Sequence, residues 1–401
     1  MKERNVVVIG GCGHVGLPLG VAFSLAGHDT TLVDISEKAV KEVNSGRFPF
    51  LERGGDELLQ KALGQGLKAT TDAKVCSDAN VFVFVIGTPV DEHLNPKLSD
   101  VVRIFDYYRE FFSPGDLVVM RSTLFPGTME HLHQRLAASN PGVHLAFCPE
   151  RVSQGYALEE IESLPQVVSS FDDDSFDDAR ELFSTIAPSI IKLTPLEAEL
   201  TKLMANSWRY LEFAIANQFY MIAEKSGVDF FRLYEAITHD YPRAKGYKSP
   251  GFAAGPCLFK DTMQLASYFD HQFYLGHSAM LVNEGLASFV VEKLENEVGD
   301  KLWGKKVGLL GMAFKANNDD IRESLSYKVK KSAEFKGAEV LWHDPYLEDS
   351  VALNDVLSQS DAIIVCTPHR DYKDLKINKP MVDVWAMYRE STLELLPGKA
   401  G

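Results

Sequence analysis

The residues best suited to chemistry lie between Lys248 and Asp261, in the run Lys-Ser-Pro-Gly-Phe-Ala-Ala-Gly-Pro-Cys-Leu-Phe-Lys-Asp. Its glycines and prolines make a loop, which delivers Cys257 to the start of a helix expected over 257–270. The thiolate is the nucleophile in cysteine chemistry, and a helix N-terminus is one setting that lowers a thiol pKa. On that helix Cys257 and Asp261 stand at i and i+4 and share a face. A carboxylate so placed can activate a water against whatever the sulfur carries. The competing reading makes Cys257 a small buried hydrophobe, the commoner fate of a free cysteine.

A second constellation opens the chain. Gly11-Cys12-Gly13-His14-Val15-Gly16 follows the apolar run Val6–Ile9 and begins a segment of helical pattern reaching about Ala26. Strand, glycine turn and helix in that order are the context of a dinucleotide fingerprint: the glycines allow a tight turn and close approach to a pyrophosphate. Asp34 ends the second expected strand, where it accepts from adenosine ribose hydroxyls and repels a 2′-phosphate, so NAD is favoured over NADP. The alternative for Asp34 is a strand-end cap. Nucleophilic sulfur and dinucleotide together point to oxidation through a covalent thioester.

Three further groups belong to the same reading. Arg121-Ser122-Thr123 and Cys148-Pro149-Glu150-Arg151 sit just past strand ends, on the rim where open α/β sheets bind ligands. Thr123 and Glu150 are therefore candidates to position a water, against the plainer reading of turns or caps. Lys202 and Asn206 lie four apart on one helix face. That face is either a solvated surface or a fixed positive charge for an oxyanion.

The elements that must position these groups follow from pattern. A chain of 401 residues suggests two or three domains. A net charge of −15 argues against a nucleic-acid groove or an anionic membrane as partner. Five scattered cysteines without a C-x-x-C pair give neither a disulfide framework nor a metal site, and suggest a reducing cytoplasm. The first apolar run is too short for a signal peptide or a membrane span, so a soluble protein is expected.

Residues 1–194 alternate short apolar strands and helices, as a parallel α/β sheet does, with strands expected at 5–9, 30–33, 81–86, 117–120, 144–147 and 166–169. Thr194-Pro195-Leu196-Glu197 is a capping box with proline at the first helical position, and no Gly or Pro follows until about Ser226. So long a helix suggests a spine for a helical middle domain over 195–300, and a homodimer or higher homo-oligomer built on it. From residue 301 an α/β pattern resumes, with a strand at 305–310, a helix at 322–335 and a strand at 339–342. Ser77-Asp-Ala79 with Thr88-Pro89 recurs as Ser360-Asp-Ala362 with Thr367-Pro368, and Val33-Asp34 echoes His343-Asp344. Two Rossmann-like domains joined by a helical middle domain is the economical reading, against chance repetition of short strand motifs.

With these residues assembled, the chain resembles the UDP-glucose/GDP-mannose dehydrogenase family of nucleotide-sugar 6-dehydrogenases over nearly its whole length. Seven motifs occur in the same order: Gly11-x-Gly13-His-Val-Gly16, Gly87-Thr88-Pro89, Ser122-Thr123-x-x-Pro126-Gly127-Thr128, Pro149-Glu150-Arg151, Glu199-Leu-Thr-Lys202-Leu-Met-Ala-Asn206, the Cys257 loop, and Gly311-Met-Ala-Phe314-Lys315 with Asp320-Ile-Arg322. The resemblance implies an NAD-dependent, four-electron oxidation of a sugar C6 alcohol to a carboxylate, through a thiohemiacetal and a thioester on Cys257. It implies that Lys202 and Asn206 stabilise oxyanions, that Asp261 assists the water, and that Thr123 and Glu150 hold catalytic water. His14, Val15, Thr88, Pro89, Ser122, Thr123 and Arg322 match cofactor contacts. Glu150, Arg151, Lys202, Asn206, Tyr247, Phe252, Gly255, Phe314 and Lys315 match the UDP-sugar side. Arg243 matches a substrate contact offered by a neighbouring subunit.

Two departures bear on the sugar. Relatives acting on UDP-glucose often carry Gly-Phe-Gly-Gly-Ser-Cys, whereas Gly251-Phe-Ala-Ala-Gly-Pro-Cys257 is one residue longer, and Gln154 stands where they often have a second glutamate. Both changes resemble the branch acting on UDP-N-acetylhexosamines. Gly308-x-x-Gly311 is not a dinucleotide fingerprint, so the C-terminal half is expected to hold the UDP moiety. Two other functions stay open at this point: a two-electron hydroxyacid-type dehydrogenase with a structural Cys257, and a nucleotide-binding sensor without turnover.

Overall fold

In a computed structural model the chain is described over residues 4–88, 97–394 and 396. Eight strands form the first sheet: β1 (Asn5–Ile9), β2 (Asp29–Val33), β3 (Lys68–Thr70), β4 (Val81–Phe84), β5 (Leu117–Met120), β6 (His144–Phe147), β7 (Gln166–Ser170) and β8 (Ile190–Leu193). Their order is β3-β2-β1-β4-β5-β6-β7-β8, so the strand order reverses direction between β1 and β4. Val6, Val8, Val81 and Val83 fill the core on one face, while Val7, Ile9, Phe82 and Phe84 fill it on the other. A parallel sheet covered on both faces needs such unbroken apolar runs, which is why these strands are readable from composition.

One pairing departs from the all-parallel expectation: β7 runs antiparallel to β6. The two strands are joined by residues 148–165, which contain the short helix Ala157–Ser163, and the chain re-enters the sheet from the opposite end. The two unanticipated strands, β3 and β8, are the sheet's edges. Their sequences, Lys-Ala-Thr and Ile-Ile-Lys-Leu, are short and partly polar, as edges are when they avoid pairing with other chains.

The long helix runs Pro195–Lys225. The Glu197 carboxylate accepts from both the Thr194 amide and the Thr194 hydroxyl at 2.8 Å, closing its first turn as the capping box requires. A cysteine helix covers Leu258–Tyr268, and a further helix Tyr274–Val298.

The chain divides into two compact units, one of residues 1–205 with 263–270, the other of residues 206–262 with 271–401. The second unit contains a parallel sheet of β9 (Lys306–Leu310), β10 (Glu339–His343), β11 (Ala362–Val365) and β12 (Met381–Asp383), in the order β10-β9-β11-β12. That is the order of β2-β1-β4-β5 in the first sheet, and the same hydrogen bonds recur inside each unit. Gly10 N donates to Val33 O at 2.8 Å, and Gly311 N donates to His343 O at 2.8 Å. Cys12 N donates to Asp34 Oδ2 at 3.0 Å, and Met312 N to Asp344 Oδ2 at 2.7 Å. The sequence echo is thus an architectural repeat. The helix expected from Arg322 begins only at Ser326. The Asp320 carboxylate captures the Arg322 amide at 2.9 Å and holds that stretch in a turn.

Candidate active site

The fingerprint has room for a ligand. A Cβ at Gly16 would lie 2.4 Å from Gly10 O, so this glycine serves the turn itself. A Cβ at Gly13 would meet nothing nearer than Gly10 O at 3.8 Å, so the opening above Gly13 is space a pyrophosphate can enter. Gly11 is bounded by Leu32, 2.7 Å from its notional Cβ, and Val15 immediately precedes the fingerprint helix, Gly16–Leu25. His14 stacks on Phe50 with ring centroids 4.0 Å apart. Asp34 accepts from Cys12 N through one oxygen and from Ser36 N through the other, each at 3.0 Å. Each oxygen keeps a second lone pair for a ribose hydroxyl. Beside it Ile35 is 99% exposed, an apolar surface against which a ligand's flat ring could rest and that no sequence pattern marked. These residues fit NAD.

Past β4 and β5, Thr88 and Thr123 line one cleft with Leu124, Phe125, Thr128 and Gln264. Ser122, expected at the cofactor, is inside the sheet end: its hydroxyl accepts from Ile86 N at 2.8 Å, tying β4 to β5. Pro89 lies outside the described residues. Glu150 is buried, accepts from the amides of Arg151 and Val152 at 2.6 and 2.9 Å, and forms an ion pair with Arg121. Arg121 is itself buried and donates to Cys148 O and Gln166 Oε1 at 3.1 and 2.9 Å. Glu150 is thereby fixed at the ends of β5 and β6. The Arg151 guanidinium donates to Pro165 O.

The five cysteines separate cleanly. Cys12, Cys76, Cys148 and Cys366 are buried, and Cys257 is exposed. Burial pushes the Cys12, Cys76 and Cys148 thiols up to about 12, aided at Cys12 by Asp34 and at Cys76 by Asp72. Cys257 precedes the first residue of the cysteine helix, and its carbonyl accepts from Asp261 N at 2.9 Å. Asp261 is fully buried; one oxygen accepts from Asn206 Nδ2 at 2.5 Å and the other meets Lys260 Nζ at 2.7 Å. Lys202 stands one turn before Asn206, half-buried and without an ion pair among the described residues.

The loop ahead of Cys257 is pinned from below. Asn217 Nδ2 donates to Gly251 O at 3.0 Å and Gly251 N donates back to Asn217 Oδ1 at 2.9 Å, while Asn217 also donates to Asn283. Phe252 is buried in the core against Trp385. Gly255 adopts φ +97°, and a Cβ there would lie 2.5 Å from the Phe314 ring. Its amide donates to Glu323 O at 3.2 Å, so the Cys257 loop rests on the segment carrying Phe314, Lys315 and Arg322. Arg322 is bound to Asp320 through Nε at 2.9 Å and Nη2 at 2.6 Å. Its pKa is raised by those bonds above all, against the effect of burial, with a contribution from the charge of Cys257. Tyr247 stacks on Tyr234 at 5.5 Å, and its buried hydroxyl has no hydrogen-bond partner among the described residues. Arg243 is exposed and rests over the Tyr241 ring at 5.9 Å.

Asp344 shows why the second sheet differs from the first. It is fully buried, and besides Met312 N it accepts from Ala313 N at 2.9 Å and from His369 Nε2 at 3.1 Å. His369 Nδ1 accepts from Asn317 N at 2.9 Å, which places the ring proton on Nε2. The carboxylate that corresponds to Asp34 is sealed beneath an imidazole, with no opening for a ribose. Sequence reading gave no role to Arg121 and Glu199, though both stand in its motifs, and did not single out Asn217 or His369; all four are buried polar groups. Glu199 accepts from Gly127 N and Met129 N at 2.7 and 2.8 Å, capping the helix Thr128–Ser139 from a distant element. Polar residues at apolar-face positions were the available signal.

Comparison with known proteins agrees with this layout. The chain matches the UDP-glucose/GDP-mannose dehydrogenase family in its NAD binding domain over residues 4–187, its central domain over 196–284 and its UDP binding domain over 308–390. It is 30% identical to the UDP-N-acetyl-D-mannosamine dehydrogenase of Methanocaldococcus jannaschii, covering 92% of this chain and 87% of that one. It is 31% identical to the enzyme of the same name from Pyrococcus horikoshii, covering 92% and 90%. Among solved structures, the Pyrococcus horikoshii UDP-D-ManNAc dehydrogenase superposes with a TM-score of 0.87 at 29% identity, covering 94% of this chain and 93% of that one. A UDP-glucose dehydrogenase from Pyrobaculum islandicum gives 0.86 at 29% identity, covering 95% and 94%. Matched in all three domains and along nearly the whole length of these relatives, the chain belongs to the UDP-glucose/GDP-mannose dehydrogenase family of NAD-dependent nucleotide-sugar dehydrogenases.

Proposed function

We propose that the protein oxidises C6 of a UDP-N-acetylhexosamine from alcohol to carboxylate, with Cys257 carrying the half-oxidised carbon. The observation that carries this reading is the contrast among thiols: one exposed cysteine at a helix start, beside a buried carboxylate, against four buried ones. NAD supplies a hydride acceptor, and a four-electron change asks for two of them.

The rest falls to this chain. The Cys257 thiolate adds to the C6 aldehyde, forming a C–S bond and an oxyanion, with the Arg322 guanidinium in electrostatic reach of the sulfur. Asn206 Nδ2 has two hydrogens and spends one on Asp261, leaving one for that oxyanion, with the Lys202 ammonium one turn away. After a second hydride has left, the carbon is a thioester. Asp261 takes a proton from water, hydroxide oxygen adds at the acyl carbon, and the C–S bond breaks to return the thiolate. Covalent attachment keeps an aldehyde from hydrating or escaping between the two oxidations.

What supports the N-acetylhexosamine is the one-residue-longer loop before Cys257, Gln154, and mannosamine relatives matched along nearly the whole chain. The test is a panel of UDP-, GDP- and TDP-sugars assayed for NADH. Two NADH per uronate from UDP-N-acetylmannosamine or its epimer, and none from Cys257→Ser beyond the first oxidation, is the expected result. One NADH per substrate, or a Cys257→Ser variant that completes uronate formation, refutes the thioester.

The active form we propose is a homodimer through the long helix. Met204, Trp208, Ile215, Phe219 and Ile222 recur at helical spacing, and each is about half exposed or more, Trp208 by 60%. A straight apolar stripe is self-complementary across a two-fold axis. Trp208→Glu with Phe219→Glu should halve the mass by light scattering; a monomeric parent excludes the dimer. No helix among the described residues is long and apolar enough to cross a membrane.

A further inference from the structure

Gln264 has no role in the chemistry above, yet it is 1% exposed and its Oε1 has no hydrogen-bond partner among the described residues. Burying an amide oxygen without a donor is unfavourable, so an acceptor left this way marks a place where a donor is expected. The side chain lines the cleft shared with Thr88, Thr123 and Thr128. It belongs with residues 263–270 to the first compact unit, where Tyr268 packs edge-on against Phe125 at 5.9 Å.

The sheet order says which part of the cofactor arrives there. Dinucleotides straddle the point where strand order reverses, here between β1 and β4. Asp34, after β2, takes the adenosine ribose on one side. Thr88 and Thr123, after β4 and β5, stand on the other, the nicotinamide side. The nicotinamide carboxamide carries a neutral N–H2 donor, which suits a neutral, desolvated acceptor in a cleft lined by threonine hydroxyls and apolar side chains, with Lys97 its charged residue.

We propose that Gln264 is a cofactor-contact residue whose Oε1 accepts a hydrogen bond from the nicotinamide carboxamide. Cys257, Asp261 and Gln264 occupy positions i, i+4 and i+7 and so form one stripe along the cysteine helix. The site is an addition to the glycine turn and Asp34, and it does not depend on the thioester reading, since its test measures binding without sugar.

The experiment is calorimetric titration of wild type and Gln264→Leu with NAD, with ADP-ribose, which lacks the nicotinamide, and with the 3-acetylpyridine analogue, which lacks the amide donor. For the variant, NAD affinity should fall about 3–10-fold, the worth of one net hydrogen bond, while ADP-ribose affinity stays unchanged. The acetylpyridine analogue should bind wild type more weakly than NAD by a similar factor and show no further loss in the variant. The ligand-free variant should melt no lower than wild type, because an unpaired buried acceptor has gone. Unchanged NAD affinity with a lowered melting temperature would assign Gln264 to a buried water and overturn the proposal. Equal losses for NAD and ADP-ribose would overturn it too. Should the variant fail to fold, the wild-type comparison decides: equal affinity for NAD and the acetylpyridine analogue refutes the contact.

Discussion

Asp261→Asn separates the last chemical step from those before it. The carboxylate is fully buried, one oxygen bonded by Asn206 Nδ2 at 2.5 Å and the other in ion-pair contact with Lys260 Nζ at 2.7 Å. An amide of the same shape has one oxygen and one NH2 group. Turned toward Asn206, the oxygen leaves NH2 facing the ammonium; turned toward Lys260, it leaves NH2 facing NH2. One charge-assisted bond is lost either way, at about 1–3 kcal/mol of stability. Loss of a general base slows the step it serves by about 10²–10⁴-fold, or roughly 3–5 kcal/mol on that barrier. In the proposed sequence of steps thioester hydrolysis comes after both oxidations, so those should survive. Rapid mixing should show a burst approaching two NADH per chain, followed by a slow phase, and intact mass spectrometry of quenched protein should find a uronyl adduct on Cys257. Hydroxylamine, which cleaves thioesters without a base, should restore turnover. Absence of a burst in a variant that still binds NAD and melts within a few degrees of wild type would refute the assignment, as would unchanged turnover.

Other perturbations reach different links. One thiol should react rapidly with an aromatic disulfide in the native protein and five after denaturation, since Cys12, Cys76, Cys148 and Cys366 are buried; a second fast thiol contradicts the cysteine assignment. Gly255→Ala forces an L side chain to φ +97° and sets a Cβ 2.5 Å from the Phe314 ring. The KM for UDP-sugar should rise about tenfold or more, from some 1–3 kcal/mol of strain, with NAD affinity alone unchanged; an unchanged KM removes this loop from the sugar site. Asp344 has its pKa lowered to about 2: burial acts to raise it, but the hydrogen bonds from His369 and two backbone amides outweigh burial. A carboxyl depressed in the folded state gives stability that is present above about pH 4 and lost as pH falls toward 2, here roughly 2 kcal/mol. Denaturant midpoints measured between pH 4 and 2.5 should fall more steeply for wild type than for Asp344→Asn, and parallel slopes would contradict it.

Much of this protein was legible before any fold was known, because the chemistry was written in local patterns. A glycine turn between a strand and a helix, a capping box at Thr194, an apolar run buried on both faces and a cysteine at a helix start each depend on residues within a turn or two of one another. Those local rules also exposed the internal echo of Val33-Asp34 in His343-Asp344. They stumbled where a distant group intervened, as at Arg322, where Asp320 draws the backbone into a turn and delays the helix to Ser326.

What sequence alone supplied was the set of candidate groups: Cys257 among five cysteines, Asp261 four residues on, a glycine turn of the dinucleotide type and Asp34 at a strand end. Tertiary structure decided their state. It left Cys257 in solvent while burying four other thiols, clamped Glu150 against Arg121, sealed Asp344 under His369 while leaving Asp34 open, and stranded Gln264 without a donor. Burial and hydrogen-bond partners are set by residues tens to hundreds of positions away, and it is desolvation and partnership, not residue type, that make one thiol or carboxylate reactive and another inert.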